Sequence, residues 1–189
     1  MDLLKKNRIC PVERAGGLDN TIRRWLQTPH KILQPYVHTG MTVLDLGCGP
    51  GFFSLEMGRL VGHSGRIIAA DVQQGMLTKV QKKIRGTDLE DRITLHQCGQ
   101  DRIGIAGPVD FVLAFYMLHE VPRQDALFGE MTTILKIGGK MLIVEPPLHV
   151  SRQEFGKTLE IARGAGFAVM DGPKILFGRT AILTNSQEV

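Results

Sequence analysis

Val43-Leu44-Asp45-Leu46-Gly47-Cys48-Gly49-Pro50-Gly51 is the stretch that decides the fold. A short apolar run stops at three alternating glycines, and Phe53, Met57, Leu60 and Val61 then recur on one helical face. This is a strand turning directly into a helix. Glycine allows a tight turn with positive φ and lets a ligand approach the backbone closely. The helix start at about Phe52 adds N–H groups and the positive end of a dipole. A nucleotide-like ligand fits such a turn, but so does a bare strand–helix junction.

Outward from this loop the pattern repeats. Strands are expected at Thr42–Leu46, Arg66–Ala70, Ile93–Gln97, Val109–Phe115 and Lys140–Glu145. Helices are expected at about Phe52–Val61, Gln74–Arg85, Arg123–Leu135 and Ser151–Ala165. In the second helix Leu77, Val80 and Ile84 turn to the sheet, leaving Lys79, Gln81, Lys82 and Lys83 for solvent. The fourth strand is apolar except for Asp110, as a strand buried on both faces should be. Phe167–Met170 and Arg179–Leu183, joined through Gly172, Pro173 and Gly178, read as an antiparallel hairpin at the sheet edge. The fold class is α/β: a Rossmann-like three-layer sandwich with a seven-stranded, mostly parallel sheet and an antiparallel C-terminal hairpin.

The 189 residues, 43% hydrophobic and 22% charged, suit one domain with a full core. No apolar run approaches the roughly 20 residues that span a bilayer. The start, Met1-Asp2-Leu3-Leu4-Lys5-Lys6, lacks the pattern of a signal peptide. Cys10, Cys48 and Cys98 match neither a disulfide framework nor a zinc spacing, so a reducing, cytoplasmic setting is expected. The net charge of +4 sits wholly in residues 1–36, with seven Lys or Arg against three Asp or Glu. Such a segment attracts acidic partners, or is simply a solvated helix face.

Asp71 ends the second strand, twenty residues after Gly51. A carboxylate there can accept hydrogen bonds from both ribose hydroxyls of a nucleoside laid across the strand ends. Asp45 lies just before the loop, where it can bind an ammonium group directly or through water. A dinucleotide fingerprint would read Gly-x-Gly-x-x-Gly, and position 52 is Phe, which argues against NAD.

Four blocks in order carry a resemblance: V-L-D-L-G-C-G-P-G-F-F-S, A-A-D-V-Q-Q-G-M-L, V-D-F-V-L-A-F-Y-M-L-H-E-V and I-L-K-I-G-G-K-M-L-I-V-E-P. From Thr42 to about Leu183 the chain resembles the class I S-adenosylmethionine-dependent methyltransferases, nearest the branch with the quinone-biosynthesis C-methyltransferases. The resemblance implies that S-adenosylmethionine is the cofactor. It places Asp45, Gly47, Cys48, Gly49 and Gly51 along the methionine end, Asp71 on the ribose, and Val72 and Met76 beside the adenosine. Many relatives carry an Asp over the adenine where this chain has Gly99; Gln100, then Asp101, are the contacts expected instead. Phe115 should face the methionine portion.

Methyl transfer from a sulfonium is an in-line displacement that needs alignment and dryness more than a fixed triad. A base is required only where the accepting atom loses a proton. Ligands in this architecture bind outside the carboxyl ends of the strands. That selects Tyr116, His119 and Glu120 after the fourth strand, and Glu145 and His149 around the end of the fifth. Of these, Tyr116, His119 and Glu145 are the catalytic candidates, with His119 able to serve as a base near neutral pH or merely to cap a helix. Glu120, Glu145 and His149 have no recognisable metal-ligand spacing, and no metal is expected. Arsenite methyltransferases hold their metalloid with cysteines, but here Cys10, Cys48 and Cys98 share no local motif.

Glu145-Pro146-Pro147 runs almost directly into Ser151 and its helix, leaving no inserted roof over a substrate. One domain is expected, with residues 1–36 as a helical lid containing Trp25, Leu26 and Tyr36, and residues 37–189 as the core. A second subunit of a homodimer is the other source of a lid. The function expected is methyl transfer to a small-molecule acceptor. RNA or protein methylation steered by the basic N-terminus, an NAD-binding oxidoreductase and a non-catalytic cofactor-binding module are the alternatives. Nucleic acid is disfavoured because aromatics, at 6%, form no basic stacking platform.

Overall fold

The computed structural model describes residues 27–99 and 102–186. A five-residue helix, α1 (Pro29–Leu33), precedes the first strand. The chain then runs β1 (Thr42–Leu46), α2 (Ser54–Leu60), β2 (Arg66–Asp71), α3 (Gln74–Ile84), β3 (Ile93–Gln97) and β4 (Val109–Phe115). A single 3-10 turn at Leu118–Glu120 leads to α4 (Gln124–Ile134), β5 (Leu135–Glu145), α5 (Arg152–Gly164), β6 (Phe167–Asp171) and β7 (Arg179–Asn185).

The seven strands form one sheet in the order β3-β2-β1-β4-β5-β7-β6. The first five are parallel, while β7 lies antiparallel between β5 and β6. The order reverses at β1, so the loops after β1 and β4 diverge and open a crevice at the carboxyl edge. Alternation along β1 sends Val43 to one face and Leu44 and Leu46 to the other. On the Val43 face, Leu33 of α1, Met57 of α2 and Leu77 and Val80 of α3 complete one core. On the opposite face Phe128 and Met131 of α4 and Phe155 of α5 complete a second. The result is the three-layer sandwich expected from the sequence.

Most boundaries fall within two residues of expectation, and β5 is the exception. It begins at Leu135 instead of Lys140 because Leu135 already pairs with Val109, after which the chain bulges and pairing resumes at Lys140 and Phe111. Gly138, at φ +72°, turns the chain inside that bulge. Lys136 fastens it by donating to Asp110 Oδ1 at 2.5 Å, while Asp110 Oδ2 accepts the Thr42 N–H at 2.8 Å. The single polar residue of β4 therefore holds a strand edge instead of facing a ligand. Lys83 also departs from the reading as a solvent-facing residue, since its ammonium donates to the Pro50 carbonyl at 2.6 Å.

Helix α5 starts with a full capping box, Ser151 and Glu154 each accepting the other's backbone N–H. At the far end of the sheet Asn185 is buried, and its amide donates to the carbonyls of Thr132 and Leu135 at 3.0 and 2.6 Å. No helix among the described residues is long and apolar enough to cross a membrane. Asn185→Ala, by stripping two carbonyls of a shared donor, should lower unfolding free energy by about 1–3 kcal/mol in urea titrations.

Candidate active site

The glycine loop leaves β1 along the end of β2, where the N–H groups of Gly47 and Cys48 both donate to the Ala70 carbonyl at 2.8 and 2.9 Å. Two glycines are needed there for different reasons. Gly47 has φ +71°, and a Cβ on it would lie 2.8 Å from Met117 Cβ on the loop after β4. Gly51 has φ +85°, and a Cβ on it would lie 2.9 Å from Leu55 Cδ1 and 3.1 Å from Val80 Cγ2. Gly51 thus serves helix packing and does not line the cavity, unlike the other loop positions expected to meet the ligand. Gly49 does line it, and a Cβ there would meet no protein atom within 4 Å.

Asp71 closes the turn from the other side. Its Oδ2 accepts the Gly49 N–H and its Oδ1 the Gln73 N–H, both at 2.9 Å. It is 7% exposed, and burial lifts its pKa above the ordinary aspartate value despite these backbone donors. Asp45, 2% exposed, accepts from Ser54 Oγ at 2.5 Å. Two buried carboxylates therefore flank the loop. That pair of acceptors suits hydroxyl and ammonium groups and repels a pyrophosphate, and the Gly49 N–H that a phosphate would need is already bonded to Asp71.

These residues open onto a cavity of about 910 Å³, within the size range of small-molecule sites. Asp45, Gly47, Cys48 and Gly49 line it from the β1 loop, with Asp71, Val72 and Met76 from the end of β2 and start of α3. Gly99 lines it from the segment after β3; Gln100 and Asp101 lie outside the described residues, as do Cys10, Trp25 and Leu26. Phe115, Tyr116, His119, Glu120 and His149 line the opposite side. Cys48 and Cys98 both reach the cavity, and burial raises both thiols, Cys98 to about 12. They are neutral thiols, not thiolates.

The three catalytic candidates occupy different places. His119 lines the cavity, with its Nδ1 2.7 Å from Glu145 Oε2. Glu145 is 1% exposed and stands behind the cavity wall, its Oε1 accepting the Leu118 N–H at 3.1 Å. It can act only through His119. Tyr116 lines the cavity at φ +60°, but its hydroxyl donates to the Phe177 carbonyl at 2.6 Å and accepts from Gln27 Nε2 at 2.8 Å. Its hydroxyl is thereby engaged in holding the rim. No group of three or more His, Cys, Asp or Glu among the described residues is placed to hold a metal ion.

Glu130 of α4 escaped sequence reasoning. It reaches the segment after β3, accepting the N–H groups of Ile103 and Gly104 at 2.8 and 2.6 Å, and lines the cavity itself. No local motif marks it, because its partners are 27 and 26 residues away. Ser54 was discoverable: it closes the F-F-S block, nine residues after the aspartate it holds.

Known proteins share the family and the fold. The methyltransferase domain family matches residues 37–163. A ubiquinone/menaquinone biosynthesis C-methyltransferase UbiE of Haemophilus ducreyi is 32% identical over 110 residues, covering 58% of this chain and 42% of that protein. A demethylmenaquinone methyltransferase of Lactobacillus johnsonii is 36% identical over 110 residues, covering 58% and 45%. The chain thus spans less than half the length of these relatives. The crystal structure of an S-adenosylmethionine-dependent methyltransferase from Aquifex aeolicus superposes with a TM-score of 0.80 at 25% identity, covering 93% of this chain and 98% of that one. The chain belongs to the methyltransferase domain family and, within it, to the class I S-adenosylmethionine-dependent methyltransferases.

Proposed function

We infer that this chain transfers a methyl group from S-adenosylmethionine to a small-molecule acceptor that enters the cavity beside His119. The observation that carries this reading is the pair of buried carboxylates, Asp45 and Asp71, flanking an open glycine loop at the cavity wall. When bound, the cofactor supplies an electrophilic methyl group on a positively charged sulfur. Asp71 would hold the ribose hydroxyls with the acceptor capacity left beside its two backbone bonds. Asp45, set by Ser54, would draw the ammonium group, directly or through water. Val72 and Met76 would flank the adenosine, with Gly99, Gln100 and Asp101 over the adenine. Phe115 would press on the methionine portion. The protein's own work is then to align the acceptor and keep water out.

The quinone-pathway names of the relatives make a quinone-derived ring the first acceptor class to try. Residues 1–36 are assigned as the lid over it. Gln27 supports that assignment: it is buried, and its amide donates both to Tyr116 Oη and to the Leu176 carbonyl at 3.2 Å. The chain is therefore anchored on the cavity rim just where residues 1–26 precede it.

Asp71→Ala should weaken S-adenosylmethionine binding by about 1.5–3 kcal/mol in calorimetry, the worth of hydrogen bonds to a charged acceptor. Binding by the unaltered protein requires the Asp71 anion, whose pKa is raised. Affinity should thus fall on acidification, starting at a higher pH than an ordinary aspartate would dictate. Undiminished affinity in the variant refutes the ribose assignment. Glu130→Gln should speed amide exchange at Ile103 and Gly104 on the order of tenfold, as one of two charge-assisted bonds is lost. Removing residues 1–24 should impair methyl transfer; cofactor binding and turnover both unchanged would refute the lid.

A further inference from the structure

We propose that Glu130 of α4 selects the adenine base of the cofactor: its carboxylate accepts a hydrogen bond from the exocyclic 6-amino group while holding the neighbouring loop. This rests on the cofactor reading above and adds to it the side chain that reads the base.

A flat purine needs apolar faces and, at its amino edge, a hydrogen-bond acceptor. The faces come from two directions. Val72 and Met76 line the cavity from the start of α3, while Ile103 and Leu127 line it from the segment after β3 and from α4. The acceptor is scarcer. Along the segment after β3, Gly99 has no side chain, Arg102 only donates and Ile103 is apolar. Gln97, at the end of β3, is exposed, and its amide donates to the Val72 carbonyl at 3.2 Å. Glu130 stands one helical turn beyond Leu127, so the two share a face of α4, and both line the cavity.

The bonds that Glu130 already makes fix where its carboxylate stands. Oε2 accepts the Ile103 N–H at 2.8 Å and Oε1 the Gly104 N–H at 2.6 Å. His96 Nε2, on β3, donates to the Ile103 carbonyl at 2.7 Å, so Ile103 is held at both of its backbone polar groups. A carboxylate offers about four acceptor sites on its two oxygens. Two are taken by the loop, and the others remain for a donor arriving from the cavity. The Cys98 thiol ties this point to the ribose end: burial, then the charges of Asp71 and Glu130, push it up to about 12. One nucleoside spans two such carboxylates, with its ribose hydroxyls at Asp71 and the amino group of its base at Glu130. A charged acceptor also makes the stronger bond, which a neutral amide such as Gln97 does not match.

The test is calorimetry with S-adenosylhomocysteine and with its 6-deamino analogue, which carries hydrogen in place of the adenine amino group. The unaltered protein should bind the amino compound about 10–100-fold more tightly, the worth of one hydrogen bond to a charged acceptor. Glu130→Ala should cut that preference to within about threefold, and Glu130→Gln, which keeps one acceptor oxygen, should leave an intermediate value. Asp71→Ala should weaken both ligands alike and leave the ratio unchanged, since the two share a ribose. The ratio is read within each variant, so a loosened loop that weakens both ligands does not imitate the effect. Equal affinity for the two ligands in the unaltered protein overturns the proposal, and that measurement needs no variant to fold. An unchanged ratio in Glu130→Ala or Glu130→Gln overturns it too, and makes the residue a support for the loop alone. So does a ratio that is lost in Gln97→Ala, Gln100→Ala or Asp101→Ala but survives in Glu130→Ala. Failure of the unaltered protein to bind S-adenosylhomocysteine overturns the cofactor reading instead.

Discussion

The Asp71 carboxylate joins two segments that the sheet alone would leave independent. By taking the N–H groups of Gly49 and Gln73, it ties the loop after β1 to the start of α3. A buried carboxylate is costly, and these donors are what make its position tenable. The cost is visible in its raised pKa. Cys48 and Cys98 lie on either side, their N–H groups bonded to the Ala70 and Asp71 carbonyls, so the end of β2 is the hub of the cofactor half of the cavity.

The acceptor half depends on a different buried acid. Glu145 organises the turn after β4 from the end of the neighbouring strand, much as Asp71 organises the loop after β1. Both carboxylates sit at strand carboxyl ends, and both hold backbone N–H groups of a loop that lines the cavity. Lys83 and Glu130 also hold loop backbone, from helices on opposite faces of the sheet: Lys83 donates to the Pro50 carbonyl, and Glu130 accepts the N–H groups of Ile103 and Gly104. The cavity wall is thus loop backbone pinned by side chains from four separate elements.

That arrangement explains which features could be read along the chain. Strand and helix positions follow from periodicity, a local property, and they were legible to within two residues nearly everywhere. The exception, β5, fails because the Leu135–Val109 pairing is a contact between strands and leaves no mark on hydrophobic spacing. Asp71 and the glycines were legible because chemistry and backbone geometry restrict those positions to few residue types. Gly51 shows the limit of that reading: a glycine signals close approach without saying to what, and the side chains that crowd this one are Leu55 and Val80.

The sequence by itself determined the strand–loop–helix order, the carboxylates at Asp45 and Asp71, and membership of a methyltransferase family, because each is written in residues close together or at a regular spacing. Only the tertiary structure decided that Glu145 stands behind His119, that the Tyr116 hydroxyl is bound to the Phe177 carbonyl, and that Glu130 holds the segment after β3. Those pairs are separated by 26, 61 and 27 residues. Only the packing of the sheet and its helices brings them within a hydrogen bond of each other.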